Sequence, residues 1–141
     1  MANTLTLYKT TTVLCTIVVA LFYSVVCKGS SAEDCLSMPT QTDMNLCSYD
    51  VAEKENMALE AVYNKLMEKI NPDSQAKLRE AQSAWIEYRK KQCEFNTRGT
   101  VSGSVHPMIV NYRYAGLAYE QTKTLRLQLE CEEGDLSCVG Q

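Results

Sequence analysis

Few side chains in this sequence could carry out chemistry. There is one histidine, His106, and the seven cysteines stand at 15, 27, 35, 47, 93, 131 and 138. A Ser-His-Asp or Cys-His site would have to centre on His106, and nothing around it resembles the strained nucleophile turn that such sites use. Zinc needs clustered ligands such as Cys-x-x-Cys or paired histidines, and redox catalysis favours the same tight spacing. The nearest cysteines of the main domain, Cys131 and Cys138, have Glu132 to Ser137 between them. Acidic residues are scattered over solvated helix faces, so no carboxylate pair stands out for glycoside cleavage. The reading is therefore a protein with no catalytic residue, no metal ligand set and no cofactor motif. More informative is the run Arg98 to His106, rich in hydroxyls and glycine, which has no duty in a core. Loops of that kind carry function, and Arg98, Ser102, Gly103, Ser104 and His106 are its candidate contact residues.

Helices must hold this loop. Val51, Leu59, Val62, Leu66 and Ile70 recur with helical spacing over about Asp43 to Ile70. Asn71-Pro72-Asp73 then stops one helix and starts the next, because Asn suits the N-cap, Pro the first helical position and an acid the first turn. The second helix is expected from Pro72 to about Asn96, with a seam of Leu78, Ala81, Trp85, Tyr88, Gln92 and Phe95. Pro107 opens a third, with His106 just outside it, and Met108, Tyr112, Ala115, Tyr119, Thr122 and Leu129 form its expected face. Gly116 weakens that helix by about 1 kcal/mol. Three rods of similar length with short connections predict an all-α, antiparallel three-helix bundle. Tyr63, Trp85, Tyr88, Tyr112 and Tyr119 fall at core-like positions, and Arg89 is expected to pair with an acid on a neighbouring helix, the favoured reading, or else to present its hydrogen-bonding fork to a partner.

The chain has 141 residues, 45% of them hydrophobic, enough for one small domain with a core. Val13 to Val26 is uncharged and is followed by Lys28 and the small residues Ser30, Ser31 and Ala32. It is shorter than the roughly 20 apolar residues of a membrane span, so residues 1–32 read as a secretory signal peptide cleaved before Glu33, leaving no integral membrane segment. Lipid attachment at Cys27 is disfavoured by the bulky Val26 before it. The domain at 33–141 then loses Lys9 and Lys28 but no acid, so 12 basic residues face 17 acidic ones and the net charge moves from -3 to -5. An acidic domain without a basic cluster argues against nucleic acid as a partner. Five cysteines remain, which in an exported protein means two disulfides and one odd thiol. A Cys35 to Cys47 bridge would pin the irregular start onto the first helix and contribute about 2 to 4 kcal/mol.

Cys35, Thr40-Gln41, Met44-Asn45, Cys47, Leu59 and Tyr63, then Ala81-Gln82-x-x-Trp85-x-x-Tyr88-Arg89-x-x-x-Cys93, then Ser102-Gly103-Ser104, resemble the LprI-like lysozyme inhibitor domain of exported bacterial proteins. Gln82, Trp85, Tyr88 and Arg89 are the most specific part of the match. The resemblance implies a helical, disulfide-bonded domain of the periplasm or the secreted fraction whose protein partner is lysozyme. Two departures are visible. Glu60 stands where the family typically has Asn, and Pro107 to Ala118 lacks the cysteine that typically partners the one at position 93. Either Cys131 bridges Cys138 and leaves Cys93 unpaired, or Cys93 takes Cys131 and leaves Cys138 free; the short Cys131 to Cys138 separation favours the first. In the inhibitor reading, the Arg98 to His106 loop enters the lysozyme cleft. Ser102, Ser104 and backbone N–H groups near Gly103 then donate to its catalytic carboxyls, and His106 adds a donor at the rim. The alternative is a non-enzymatic periplasmic interaction domain without effect on lysozyme.

Overall fold

The computed structural model describes residues 32–132, 134–136 and 138. The leader, its cleavage point and Cys27 lie outside the described residues, apart from Ala32. Four α-helices and a single 3-10 turn, with no strand among the described residues, make up the fold: α1 (Ala32–Leu36), α2 (Gln41–Lys69), α3 (Pro72–Thr97), the turn at Arg98–Thr100, and α4 (His106–Leu129). The bundle is all-α, as the spacing predicts.

Local chemistry sets the helix ends. The Thr40 hydroxyl accepts the Asp43 N–H at 3.2 Å and donates to the Asp43 carboxylate at 2.7 Å. This reciprocal cap starts α2 two residues before the expected Asp43. At the other end Asn71 caps α3 by accepting the Ser74 N–H at 2.9 Å, with Pro72 in the first turn. The Gln75 amide reaches back to the Met67 and Ile70 carbonyl oxygens at 2.9 and 3.0 Å, satisfying acceptors that the end of α2 leaves open. The irregular start contains the short α1, held to α2 by the Cys35–Cys47 disulfide.

Consecutive long helices run in opposite directions, so α2 and α4 are parallel. Asn45 of α2 binds the Ser104 carbonyl oxygen just before α4, and Lys69 at the far end of α2 binds the Leu129 carbonyl oxygen at the end of α4. These two pack most intimately, with the small buried residues Ser48 and Ala52 on α2 and Ala115 and Ala118 on α4. Leu59, Val62, Leu66 and Ile70 join Ala118 and Leu125 in the main core, against which Leu78, Trp85 and Tyr63 pack. α3 stands farther off and buries only Cys93 and Thr97 completely.

That stand-off changes the expected seams. On α3 Tyr88 is 54% and Phe95 76% exposed, and the face turned to the bundle passes through Trp85, Arg89, Cys93 and Thr97. A helix advances about 100° per residue, so a one-position shift moves the whole second half of the seam. On α4 Met108, Ala115 and Thr122 are buried as expected, while Tyr119 is half exposed and Ala118 and Leu125 take core positions.

Candidate functional site

Two features at different heights of the bundle could recognise a partner. The first is the connection between α3 and α4. Its backbone is folded back on itself, the Gly103 N–H donating to the Thr100 carbonyl oxygen at 2.8 Å and the His106 N–H to that of Gly103 at 3.0 Å. From α2, the Asn45 amide holds the Ser104 carbonyl oxygen at 3.1 Å. A Cβ at Gly103 would lie 3.3 Å from the Thr100 carbonyl oxygen, so the small residue permits this tight return. Arg98, Ser102, Gly103 and Ser104 are exposed on the outside of the turn, and Ser102 forms no hydrogen bond among the described residues.

Two of the expected donors have partners within the turn. The Gly103 N–H is already used by Thr100. His106 is the first residue of α4 rather than just outside it, and its Nδ1 lies 2.9 Å from Thr100 Oγ1. That hydroxyl spends its one proton on the Thr97 carbonyl oxygen at 2.8 Å, so it must accept from a protonated Nδ1. Only Nε2 is left for an outside group, and in the neutral ring it accepts. The outward donors on this turn include the two serine hydroxyls and the Arg98 guanidinium.

The second feature is built around Arg89. Its guanidinium sits 4.8 Å from the centre of the Trp85 ring and 5.0 Å from that of Tyr114, and Nη1 donates to the Asn56 amide oxygen at 2.7 Å. Nε is buried without a hydrogen-bond acceptor. The expected acid on a neighbouring helix is absent, since no carboxylate pairs with Arg89 among the described residues. Burial pushes its pKa down while the Tyr114 and Cys93 groups oppose that shift, and a guanidinium stays charged regardless. Trp85 and Arg89 line a groove of about 470 Å³ between α2 and α3, together with Tyr63, Gln82 and Arg79. Gln82 also accepts the Gln121 amide at 3.2 Å, tying α3 to α4. Tyr88, the remaining residue of the string, points away to solvent and takes no part.

Two members of this cluster were not anticipated. Asn56 falls on the stripe Ala52, Asn56, Leu59, Tyr63 and Leu66, and a polar amide on an otherwise apolar stripe is the signal that marks it. Tyr114 has no such signature, because it faces α3 from the flank of the α4 stripe.

The structure decides the cysteines in favour of Cys35–Cys47 and Cys131–Cys138, with Cys93 free and buried. Burial pushes the Cys93 thiol pKa up, with Arg113 and Arg89 pulling it partly back and Glu94 adding to the rise. Below the unfolded thiol's value of about 8.5 both states hold the proton and the thiol contributes no pH dependence. As pH climbs from there towards the higher folded value the unfolded chain ionises first, so stability falls. Cys93 should therefore resist iodoacetamide at pH 8 until the chain unfolds, as read by intact mass. The melting temperature of Cys93→Ser should decline less steeply above pH 9 than that of the parent. Rapid alkylation of the folded protein would contradict the burial.

With this geometry in hand, comparison with known proteins gives the class. The family described as "Lysozyme inhibitor LprI" matches residues 31–125. The chain belongs to the LprI lysozyme inhibitor family, a family of inhibitor domains rather than of enzymes. An uncharacterised protein of Rhizobium meliloti (strain 1021) is 32% identical over 120 residues, covering 71% of this chain and 81% of that relative. No solved structure matches.

Proposed function

We propose that this protein is exported to the periplasm or beyond and inhibits a lysozyme there by inserting the turn between α3 and α4 into the enzyme's cleft. The observation that carries this reading is the turn itself: backbone bonds and Asn45 hold it, and Ser102 and Ser104 lie on its outer side. Such pre-organisation lowers the entropy lost on binding. A two-carboxylate glycosidase such as lysozyme presents acceptors that hydroxyl donors can satisfy. The family match supports the same partner class. An acidic inhibitor gains encounter rate against a cationic enzyme, and that gain shrinks as salt screens it. No helix among the described residues is long and apolar enough to cross a membrane.

The test is lysis of a peptidoglycan suspension by lysozyme with and without the purified protein. The triple variant Ser102→Ala, Gly103→Ala, Ser104→Ala should inhibit at least tenfold less well, equivalent to about 1.4 kcal/mol, with the helical spectrum unchanged. Undiminished inhibition by the triple variant would remove the turn from the mechanism. A parent protein that leaves lysis unaffected would favour an interaction domain with another partner, and lysis by the protein alone would make it an enzyme.

A further inference from the structure

The α2/α3 groove contains a cation with no counterion. A half-buried charge is costly unless paired, and two aromatic rings and one amide oxygen cover only part of the Arg89 guanidinium. At the other end of the same groove Arg79 is exposed and forms no ion pair among the described residues. Glu60, the acid on the facing wall, pairs with neither. The groove lining itself thus carries two guanidiniums against one carboxylate, with Glu53 just outside it on the Asn56 amide at 3.4 Å, on a chain whose overall charge is -3. Its remaining walls offer the amides of Asn64 and Gln82, the Ser83 hydroxyl and the apolar edge of Ile86. From Arg79 to Arg89 the groove follows α3 for about 15 Å at 1.5 Å per residue, the span of four or five extended residues.

We infer that the groove between α2 and α3 binds a short acidic peptide segment, with an Asp or Glu carboxylate completing the pairing of Arg89 and the backbone lying along the amides towards Arg79. Arginine's planar fork matches a carboxylate in a way that lysine's ammonium does not. The aromatic rings hold that fork in place, so little freedom is lost when the carboxylate arrives. Trp85 is itself committed, to Arg89 and to the core. That argues against a sugar stacking on its ring and for a ligand recognised by charge and amide bonding. This site stands apart from the α3–α4 turn and does not depend on lysozyme being the partner.

Arg89 Nε–H is sheltered from water, so it should give a slowly exchanging NMR signal, assigned by its loss in Arg89→Lys. Titration of the purified protein with the peptide acetyl-Gly-Glu-Gly-Gly-amide should shift this signal saturably. The matching Gln peptide and glucuronate at equal concentration should not. Arg89→Lys should weaken binding at least fivefold by the shifts of neighbouring amides. Because that variant could disturb the ring stack, two surface changes serve as independent readouts. Arg79→Ala should weaken the peptide about threefold, and Glu60→Gln should tighten it about threefold. Equal shifts with the Gln peptide would overturn the carboxylate assignment, and equal shifts with glucuronate would overturn the peptide assignment. No shift with any probe, or an affinity indifferent to both Arg79→Ala and Glu60→Gln, would overturn the site.

Discussion

Leu66→Ala should lower the free energy of unfolding by about 3 kcal/mol, within the roughly 2–5 kcal/mol found for buried leucine truncations. Leu66 is 1% exposed, sits in the main cluster with Leu59, Val62, Ile70, Ala118 and Leu125, and is the largest fully buried side chain among the described residues. Its position lets it touch more than one neighbour, because it also lines the apolar pocket between the ends of α3 and α4 with Leu78 and Leu125. Removing it takes apolar surface out of contact on two sides, and the helix backbones cannot close the gap while Gln75 and Lys69 clamp that end of the bundle. Urea unfolding followed by circular dichroism measures the loss directly. A change below 1 kcal/mol would mean that this end is loosely packed and that the core assignment is wrong.

Opening the Cys35–Cys47 bridge with the double variant Cys35→Ser, Cys47→Ser is expected to cost about 2–4 kcal/mol. The bridge closes a loop of sequence separation 12, and loops of that size restrict the unfolded chain by roughly 3 kcal/mol in the chain-entropy account. Both sulfurs are buried, so the serines also leave polar groups in an apolar place. The effect should concentrate at the start of the fold: α1 has few other ties, one being the Tyr112 hydroxyl that donates to the Ala32 carbonyl oxygen at 3.0 Å. The α3–α4 turn is held from Asn45 and should survive. The comparison variant Cys131→Ser, Cys138→Ser should shift the thermal midpoint much less, since this bridge closes a tail whose Leu136 is fully exposed. Equal losses from the two double variants would show that the tail is packed in solution.

These two results bear on function through rigidity. An inhibitor that inserts a turn into a cleft depends on the turn arriving in its bound shape. Here the shape comes from contacts that reach across the fold: Asn45 on α2, Thr97 at the end of α3 and His106 at the start of α4. If the proposed insertion of the turn holds, loosening the bundle should weaken inhibition even where no contact residue is touched.

Much of the architecture is legible in the residues alone. The junction between α2 and α3 follows from Asn71 and Pro72, whose capping geometry needs only neighbouring backbone, and Met108, Ala115 and Thr122 mark the buried side of α4 by spacing, whereas the Thr40 cap that starts α2 two residues earlier than its apolar spacing suggests came only with the structure. The likeness to the family is carried by the Gln82, Trp85 and Arg89 string and is visible without a structure. Other assignments depended on how the rods rotate. A 3.6-residue period defines a stripe but tolerates a one-residue turn of the helix, which is why Tyr88 and Phe95 look internal in the sequence and stand in solvent in the fold. The partner of Arg89 proved to be an amide and two rings from separate helices. That Cys93 has no cysteine to bridge on α4 is plain from the sequence, but its burial against the Val110 carbonyl oxygen is not. Local hydrogen bonding and periodicity thus determined where the helices begin, end and carry apolar side chains. Which side chains met across the 33 positions separating Arg89 from Asn56 was decided only when three helices packed together, because such a meeting depends on relative rotation and distance between axes, quantities that no stretch of chain contains by itself.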